Sequence, residues 1–192
     1  MHTRRIMIGV ALATSVALAA CSKAPSAVTT SPKPKALGAT EWVAQLCAFG
    51  STLNDQIQQA TSDLQNASPA TLQESKQLFV SYFDTTISTF QQIDGELAKL
   101  GTPAVDGGAA AVVKVTSQFD DALAALEKAR TEAEALPTDD ATTFSKAAEA
   151  IGNELQNTSI GENGHLTFGQ SDLDAAYQAN ATCQALENSP SP

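Results

Sequence analysis

Apolar side chains recur at steps of three or four residues along most of this chain, and this spacing strongly limits its fold. A step of three or four places side chains on one face of an α-helix, whereas a half-buried strand needs alternation at every second residue. The first stretch has its apolar side chains on one such stripe: Trp42, Leu46, Phe49, Leu53, Ile57, Ala60 and Leu64. No alternating run bounded by turn residues occurs, so the sequence predicts an all-α fold.

Residues that begin and end helices divide this pattern into five predicted helices. Thr40 is the expected N-cap of the first helix, and Ser68-Pro69 restarts the chain, with Thr71–Glu74 as a second candidate capping box. The second helix is expected to end at Leu100, because Gly101 fits the position that follows a helix. A third is expected to begin at Thr102-Pro103 and to stop at Pro137.

The last third of the chain predicts a fourth helix from about Asp140 to Ile160, a loop over Gly161–Gln170, and a short fifth helix from Ser171 or Asp172. Short connections between long helices favour antiparallel neighbours. The expected architecture is therefore an antiparallel up-down helical bundle with four main helices plus a short C-terminal helix. It is expected to occupy residues 41–188, with 189–192 as a disordered tail.

Residues 1–20 have the pattern of an export signal. Arg4 and Arg5 precede an uncharged apolar run that is too short and too rich in alanine for a good transmembrane helix. The run ends in Leu18-Ala19-Ala20-Cys21, which resembles the lipobox of bacterial lipoproteins. This resemblance implies that Cys21 accepts a diacylglycerol and becomes the first residue of the mature protein. The paired arginines also partly resemble a twin-arginine signal, so the choice between that route and Sec export stays open.

The same resemblance predicts a protein on the cell membrane, anchored at its extracytoplasmic face through the lipid on Cys21. Two acyl chains are enough for stable anchoring, whereas one gives only marginal binding. Residues 21–40 are expected to be the lipidated cysteine and a flexible tether, since Ser, Thr, Pro and Lys dominate there. The layout, an alanine-rich helical domain with paired cysteines, is similar to that of small helical lipoproteins of actinobacteria.

Two cysteines remain once Cys21 is assigned to lipid. Cys47 lies near the start of the first predicted helix and Cys183 near the end of the last. Disulfides persist outside the cytoplasm, so we predict a Cys47–Cys183 disulfide. Such a bond needs the two residues close together, which collinear fourth and fifth helices would prevent. We therefore expect Gly161–Gln170 to bring the chain back, with the fifth helix rising again or lying across the end of the bundle.

Charge excludes one class of partner. The 192 residues carry 11 basic and 21 acidic side chains, and all 21 acids but only six of the bases follow residue 40, so the predicted domain has a net charge of −15. A nucleic-acid-binding surface is basic, so no nucleic-acid partner is expected. An unknown envelope protein or wall component is the expected partner, as a basic protein or wall-associated cations would complement the acidic face.

No motif in the chain predicts catalysis. Glu162 and His165 have the Glu-x-x-His spacing of di-iron bundles, but such sites need two copies on helices and further inward-facing glutamates. There is no Gly-x-Ser-x-Gly motif and no glycine-rich phosphate loop. We therefore expect no metal, no cofactor and no enzymatic activity.

The interior offers one candidate ligand site. Phe79, Phe83 and Phe90 form an aromatic stripe on the second helix, and Thr86 between them is expected opposite Thr116 of the third helix. Core packing, with the hydroxyls bonded to their own helices, is one interpretation; a cavity for an apolar ligand is the other. The expected function is thus a non-enzymatic interaction or envelope-associated module, and the alternative is a small-molecule or lipid carrier with a cavity inside the bundle.

Overall fold

The computed structural model describes residues 36–156 and 167–189. The predicted signal, Cys21 and the Glu162–His165 pair lie outside this part of the chain. Within it all regular structure is helical and no strand occurs, which confirms the predicted all-α class. The six helices are α1 (Ala39–Asn66), α2 (Leu72–Leu100), α3 (Gly108–Glu134), α4 (Ala141–Gln156), α5 (Ser171–Ala179) and α6 (Ala181–Glu187). None of them is both long and apolar enough to cross a membrane.

Helix α2 begins at the capping box Thr71–Glu74, which was the second of the two starts that the sequence offered. The Thr71 hydroxyl accepts a hydrogen bond from the Glu74 backbone N–H at 3.2 Å, and the Glu74 carboxylate accepts from the Ala70 N–H at 2.6 Å. These bonds satisfy backbone donors that a helix start otherwise leaves without partners. The helix therefore begins at Leu72, after the capping residue, and not at Ser68-Pro69.

The connection between α2 and α3 is longer than the sequence suggested. Gly101 ends α2 with a φ of +70°, as expected, but α3 begins at Gly108 and not at Thr102-Pro103. Gly107 has a φ of +71°, and a Cβ atom on Gly108 would lie only 2.4 Å from the Pro103 carbonyl oxygen. The chain thus makes a tight turn here that only glycines permit, and the third helix starts after it.

Two short helices replace the single C-terminal helix that was predicted. Asn180 has an extended backbone (φ −90°, ψ 121°), and its side-chain oxygen accepts from the N–H groups of Thr182 and Cys183 at 2.9 and 3.2 Å. Asparagine is among the best N-cap residues because its short side chain can reach these donors. Asn180 therefore interrupts the helix and starts α6.

Buried side chains form two hydrophobic clusters along the molecule. The Trp42 cluster joins the first half of α1 to α2, α3 and the C-terminal helices; its large members are Trp42, Val43, Leu46, Leu53, Phe90, Ile93, Leu97, Val115, Phe119, Phe168, Leu173 and Tyr177. The Phe144 cluster joins α4 to the remaining parts of α2 and α3; its members are Phe83, Ile87, Ala129, Ala133, Leu136, Phe144 and Ile151. Helices α2 and α3 contribute to both clusters, so they connect the two ends of the domain.

The predicted disulfide is present. Cys47 of α1 and Cys183 of α6 are bonded, with a Cα–Cα distance of 5.2 Å, and both side chains are buried in the Trp42 cluster. One turn further along, Leu186 approaches Gly50 so closely that a Cβ on this glycine would lie 2.9 Å from the leucine Cδ1 atom. The contacts advance along α1 and α6 in the same direction, which agrees with the predicted return of the last segment.

Candidate functional site

The residues of the predicted interior cavity are divided between the two clusters. Phe83 is buried in the Phe144 cluster, whereas Phe90 is buried in the Trp42 cluster and packs against Phe119 with 5.8 Å between the ring centres. Phe79 is half-buried at the edge of the Phe144 cluster. The aromatic stripe therefore follows the length of α2 and contributes to two separate packed regions.

The two threonines of that prediction bond to their own helices. The Thr86 hydroxyl donates to the Tyr82 carbonyl at 2.9 Å, and the Thr116 hydroxyl donates to the Val112 carbonyl at the same distance. Both bonds have the i to i−4 spacing that threonine uses within helices. At this level the geometry corresponds to the packing interpretation, in which each hydroxyl is satisfied locally.

An open groove with a volume of about 260 Å³ lies near the turn between α1 and α2. Side chains from α1, the turn, α2 and α4 line it: Leu64, Ala67, Pro69, Ser75, Leu78, Phe79 and Phe144. Phe79 and Phe144 meet edge to face, with 6.2 Å between ring centres, an arrangement that aromatic rings favour. Ser75 is the single polar side chain among them, but backbone atoms also face the groove, and its small exposed surface is divided about equally between polar and apolar atoms.

Three carboxylates precede residues of the groove by about one helical turn. Each lies four positions before a residue that lines the groove. Asp63 precedes Ala67, Glu74 precedes Leu78, and Asp140 precedes Phe144. Residues four apart lie on the same side of a helix, so these acids are neighbours of the lining residues. By the same rule Lys76, three residues before the lining residue Phe79, is also a neighbour of the groove, so the charges near it are mixed. Lys146 follows Phe144 by two residues, which directs it away from the same side.

Asp140 is held in its ionised form. Its carboxylate accepts hydrogen bonds from the Thr143 hydroxyl at 2.6 Å and from the Thr143 backbone N–H at 2.7 Å. These two bonds, the hydroxyl first, lower the pKa of Asp140 below its ordinary value. The charge also lies at the N-terminus of α4, where the helix dipole favours an anion.

Cations are confined to one side of the described fold. Lys128 of α3 donates to Glu154 of α4, which is the main reason that the pKa of Lys128 is raised. Arg130 of α3 likewise donates to Asp84 of α2. By contrast, α1, α5 and α6 contain no lysine or arginine, although they carry the acids Glu41, Asp55, Asp63, Asp172, Asp174 and Glu187. All charged side chains within these three helices are therefore acidic, although Lys114 of α3 reaches the segment before α5, where it donates to the Thr167 hydroxyl at 3.1 Å.

A metal site is not formed by the described residues. Nowhere in residues 36–156 and 167–189 do three or more His, Cys, Asp or Glu side chains come together in a way that could hold a metal ion. The acids around the groove are distributed over three segments.

Sequence analysis identified Phe79 but missed the rest of the groove. Leu78 was the available signal, since it is a large apolar residue that lies off the inward stripe of α2 and is half-buried in the structure. Phe144 is buried among the side chains of its cluster and also lines the groove. A side chain that serves both packing and a groove cannot be recognised from periodicity alone.

Comparison of the chain with protein-family models, curated proteins and solved structures finds no match. A functional argument therefore rests on the residues of the chain itself. The groove, the acids around it and the disulfide are the features that such an argument can use.

Proposed function

We propose that this chain is a lipid-anchored extracytoplasmic protein whose helical domain is a non-enzymatic interaction module. The observation that carries the location is the disulfide between Cys47 and Cys183. Disulfides persist in oxidising compartments and are rare in the cytoplasm of most cells. A domain with such a bond, following a segment that resembles a lipoprotein signal ending in Cys21, fits export and anchoring better than residence in the cytoplasm.

The interaction role is supported by the groove and by the charge of the surface around it. Specific protein interfaces use large side chains that fill pockets, with polar and charged groups at the rim. The groove provides a recess lined mostly by apolar side chains, and charged residues of both signs, the acids Asp63, Glu74 and Asp140 and the cation Lys76, lie one helical turn from its lining residues. Beyond the groove, the charged side chains of α1, α5 and α6 are all acidic, so a cationic partner is favoured.

We also propose that α1 to α4 are arranged as the antiparallel up-down bundle expected from the sequence. Contacts between α2 and α3 support this arrangement. Phe90 of α2 packs against Phe119, whereas Asp84, earlier in α2, binds Arg130, later in α3. The two helices therefore run in opposite directions. Between α1 and α2 the same order holds. The Trp42 indole donates to the Gly101 carbonyl at 2.8 Å, and Gln56 lies 2.8 Å from the Thr89 hydroxyl.

Metabolic labelling tests the anchoring. Cells that express the full chain are fed an alkyne-bearing palmitate, and the protein is then purified and conjugated to a dye. We expect label on the natural chain and none on Cys21→Ala, which should also leave the membrane fraction. The double variant Cys47→Ala, Cys183→Ala is the matched control, because it removes two cysteines without removing the lipid acceptor, and it should remain labelled. Label that persists on Cys21→Ala would refute the proposal.

A second candidate function is a carrier for a small apolar molecule or lipid, which the apolar lining of the groove favours. The volume of about 260 Å³ is slightly below the roughly 300–1,000 Å³ of typical ligand pockets. The groove is also open, whereas such pockets bury most of the ligand surface. These properties fit one inserted side chain better than a whole carried molecule, so we place the interaction role first.

A further inference from the structure

We propose that the Cys47–Cys183 disulfide is a redox-sensitive attachment of the last helix: a protein dithiol that reduces it releases α6 from α1, while α1 to α5 stay folded. The released segment begins at Asn180, the residue that separates α5 from α6. The two C-terminal helices are held to the domain in very different ways, and this difference carries the inference. Neither the lipid on Cys21 nor the groove enters it.

Helix α6 depends on the disulfide more than on packing. It contacts mainly α1, and Cys183 is its single buried residue. Leu186 is half-buried and lies against Gly50 of α1. The charged side chains of α1, α5 and α6 are all acidic, so no ion pair joins α6 to the other two helices. A helix of seven residues is also too short to be stable on its own.

Helix α5, by contrast, is held by packing. Leu173 and Tyr177 are buried in the Trp42 cluster. Phe168, just before the helix, lies edge to face with Trp42 and with Tyr177, at 5.9 Å between ring centres in each pair. The Asp174 carboxylate accepts a hydrogen bond from the Phe168 backbone N–H at 2.8 Å, which joins this segment to the helix. None of these contacts involves a cysteine, so α5 should stay in place after reduction.

The connection between the two helices allows α6 to move alone. Asn180 has an extended backbone and lies outside both helices, so undocking of α6 breaks no turn of α5. Residues at the ends of elements commonly absorb the backbone rotation of such movements. Release uncovers the face of α1 around Cys47 and Gly50. It also places the Cys183 thiol on a mobile segment, where a thiol of another protein can reach it.

The reaction is a thiol–disulfide exchange. A thiolate of the dithiol attacks one sulfur, the bond between the two cysteines breaks, and its electron pair stays on the other sulfur, which takes up a proton. The second thiol of the reductant then attacks the mixed disulfide and releases the first cysteine in the same way. Two electrons and two protons thus pass to the cysteines, and the dithiol becomes a disulfide.

The reductant needs a local opening to reach the bond, because Cys47 and Cys183 are only 2% and 0% exposed. Leu186 lies one turn beyond Cys183 on the same side of α6, so lifting it from Gly50 uncovers one side of the disulfide. An opening confined to the end of one short helix requires less free energy than global unfolding. Reduction should therefore proceed while the rest of the domain is folded.

The test uses the full-length protein in a neutral detergent, well below its unfolding midpoint, with dithiothreitol as the dithiol. After the reductant is removed, a brief pulse of N-ethylmaleimide is followed by peptide mass spectrometry, which distinguishes Cys47 from Cys183. We expect Cys183 to react at least about tenfold faster, because only this cysteine leaves the core. Amide hydrogen exchange should rise by a similar factor in α6 and by much less in α5, with the fluorescence of Trp42 retained.

Two variants show whether the reductant enters through α6. Leu186→Ala weakens the contact of α6 with α1 and should speed reduction of the oxidised protein by about threefold or more. Ile151→Ala is its control, because Ile151 is buried in the Phe144 cluster, and its loss weakens the fold without touching α6. This variant should leave the reduction rate nearly unchanged. The double variant Cys47→Ala, Cys183→Ala should show the exchange pattern of the reduced protein without any reductant.

Three results would overturn the proposal. Equal protection of both thiols after reduction would mean that packing alone keeps α6 in place. Equally fast exchange in α5 and α6 would mean that the whole C-terminal segment, or the whole domain, is released. A reduction rate that Leu186→Ala does not raise, or that Ile151→Ala raises as much, would mean that the reductant acts on the globally unfolded chain. Palmitate labelling is independent of all these results, so failure of the anchoring proposal can be distinguished from failure of this one.

Discussion

Reduction of the Cys47–Cys183 disulfide should strongly destabilise the domain. The bond joins α1 to α6 across 136 residues of sequence, and both cysteines are buried in the Trp42 cluster. Without it, α5 and α6 are held to α1 by noncovalent packing, chiefly through Leu173 and Tyr177. The unfolded chain, however, gains all the conformations that the closed loop had forbidden, so most of the effect is expected in the unfolded state.

The size of the effect follows from the length of the loop. The chain-entropy relation gives about 5 kcal/mol for a loop of this length, and measured values for single disulfides are typically about 2–4 kcal/mol. At about 2–4 °C per kcal/mol for a chain of this size, a loss of 3 kcal/mol lowers the unfolding midpoint by about 10 °C. The relation ignores residual structure in the unfolded chain, so it sets the upper end of the range.

Trp42 provides the assay because it is the single tryptophan of the chain and is fully buried. It donates to the Gly101 carbonyl and lies edge to face with Phe168 at 5.9 Å, so its fluorescence reports on the end of the domain that contains the disulfide. Thermal unfolding is followed by this fluorescence and by circular dichroism, with and without reductant. The double variant Cys47→Ala, Cys183→Ala controls for effects of the reductant. A midpoint that moves by less than about 2 °C on reduction would refute the entropic argument.

Two further predictions concern hydroxyl groups. Thr143→Ala removes the main hydrogen bond to Asp140, so the pKa of Asp140, measured by NMR, should rise toward its ordinary value of 3.8. Because folding lowers the pKa of Asp140, this carboxylate stabilises the domain at pH values above its ordinary pKa. The stabilisation is lost as the pH falls through the pKa of the folded state. The free energies of unfolding of the natural chain and of Thr143→Ala should therefore converge at low pH. The hydroxyl of Thr61 is buried without a hydrogen-bond partner in the described structure, so Thr61→Val should be neutral or stabilising by up to about 1 kcal/mol, and a loss above that in denaturant unfolding would show that the hydroxyl has a partner.

Helix type and the cysteine pair were predictable from the sequence because each depends on a short or chemically distinct signal. The 3–4 spacing in α1 favours a helix, and Cys47 and Cys183 are the two cysteines left once Cys21 is assigned to lipid, which predicts that they pair. Helix starts were less predictable, as the region between α2 and α3 shows. Pro103 has the features of a first helical residue, but the next residue, Ala104, donates its backbone N–H to the Leu37 carbonyl at 2.7 Å, a contact with a distant part of the chain that sequence patterns do not show.

The groove was largely unpredictable for a related reason. Most of its residues lie in the stretch from Leu64 to Phe79, but Phe144 is distant in sequence and joins them only through the packing of α4. Periodicity indicates which face of one helix is apolar, but it contains no information on which apolar faces fit together incompletely. The aromatic stripe of α2 showed the same limit, since Phe83 and Phe90 are one helix face in sequence and two clusters in the structure.

The two clusters are joined through Leu123 and Leu126, but they differ in what holds them together, and this difference affects local stability. The Trp42 cluster contains the disulfide and the entry point of the chain, whereas the described part of the Phe144 cluster is held by packing and by surface ion pairs such as Lys128–Glu154. Exposed ion pairs contribute little to stability, so the groove end should open locally at a lower free energy than the disulfide end. Side chains such as Leu78 and Phe79 should therefore move more readily than those beside Cys47 and Cys183, and amide hydrogen exchange along α2 would show faster exchange near Leu78 than near Leu97 if this reasoning holds.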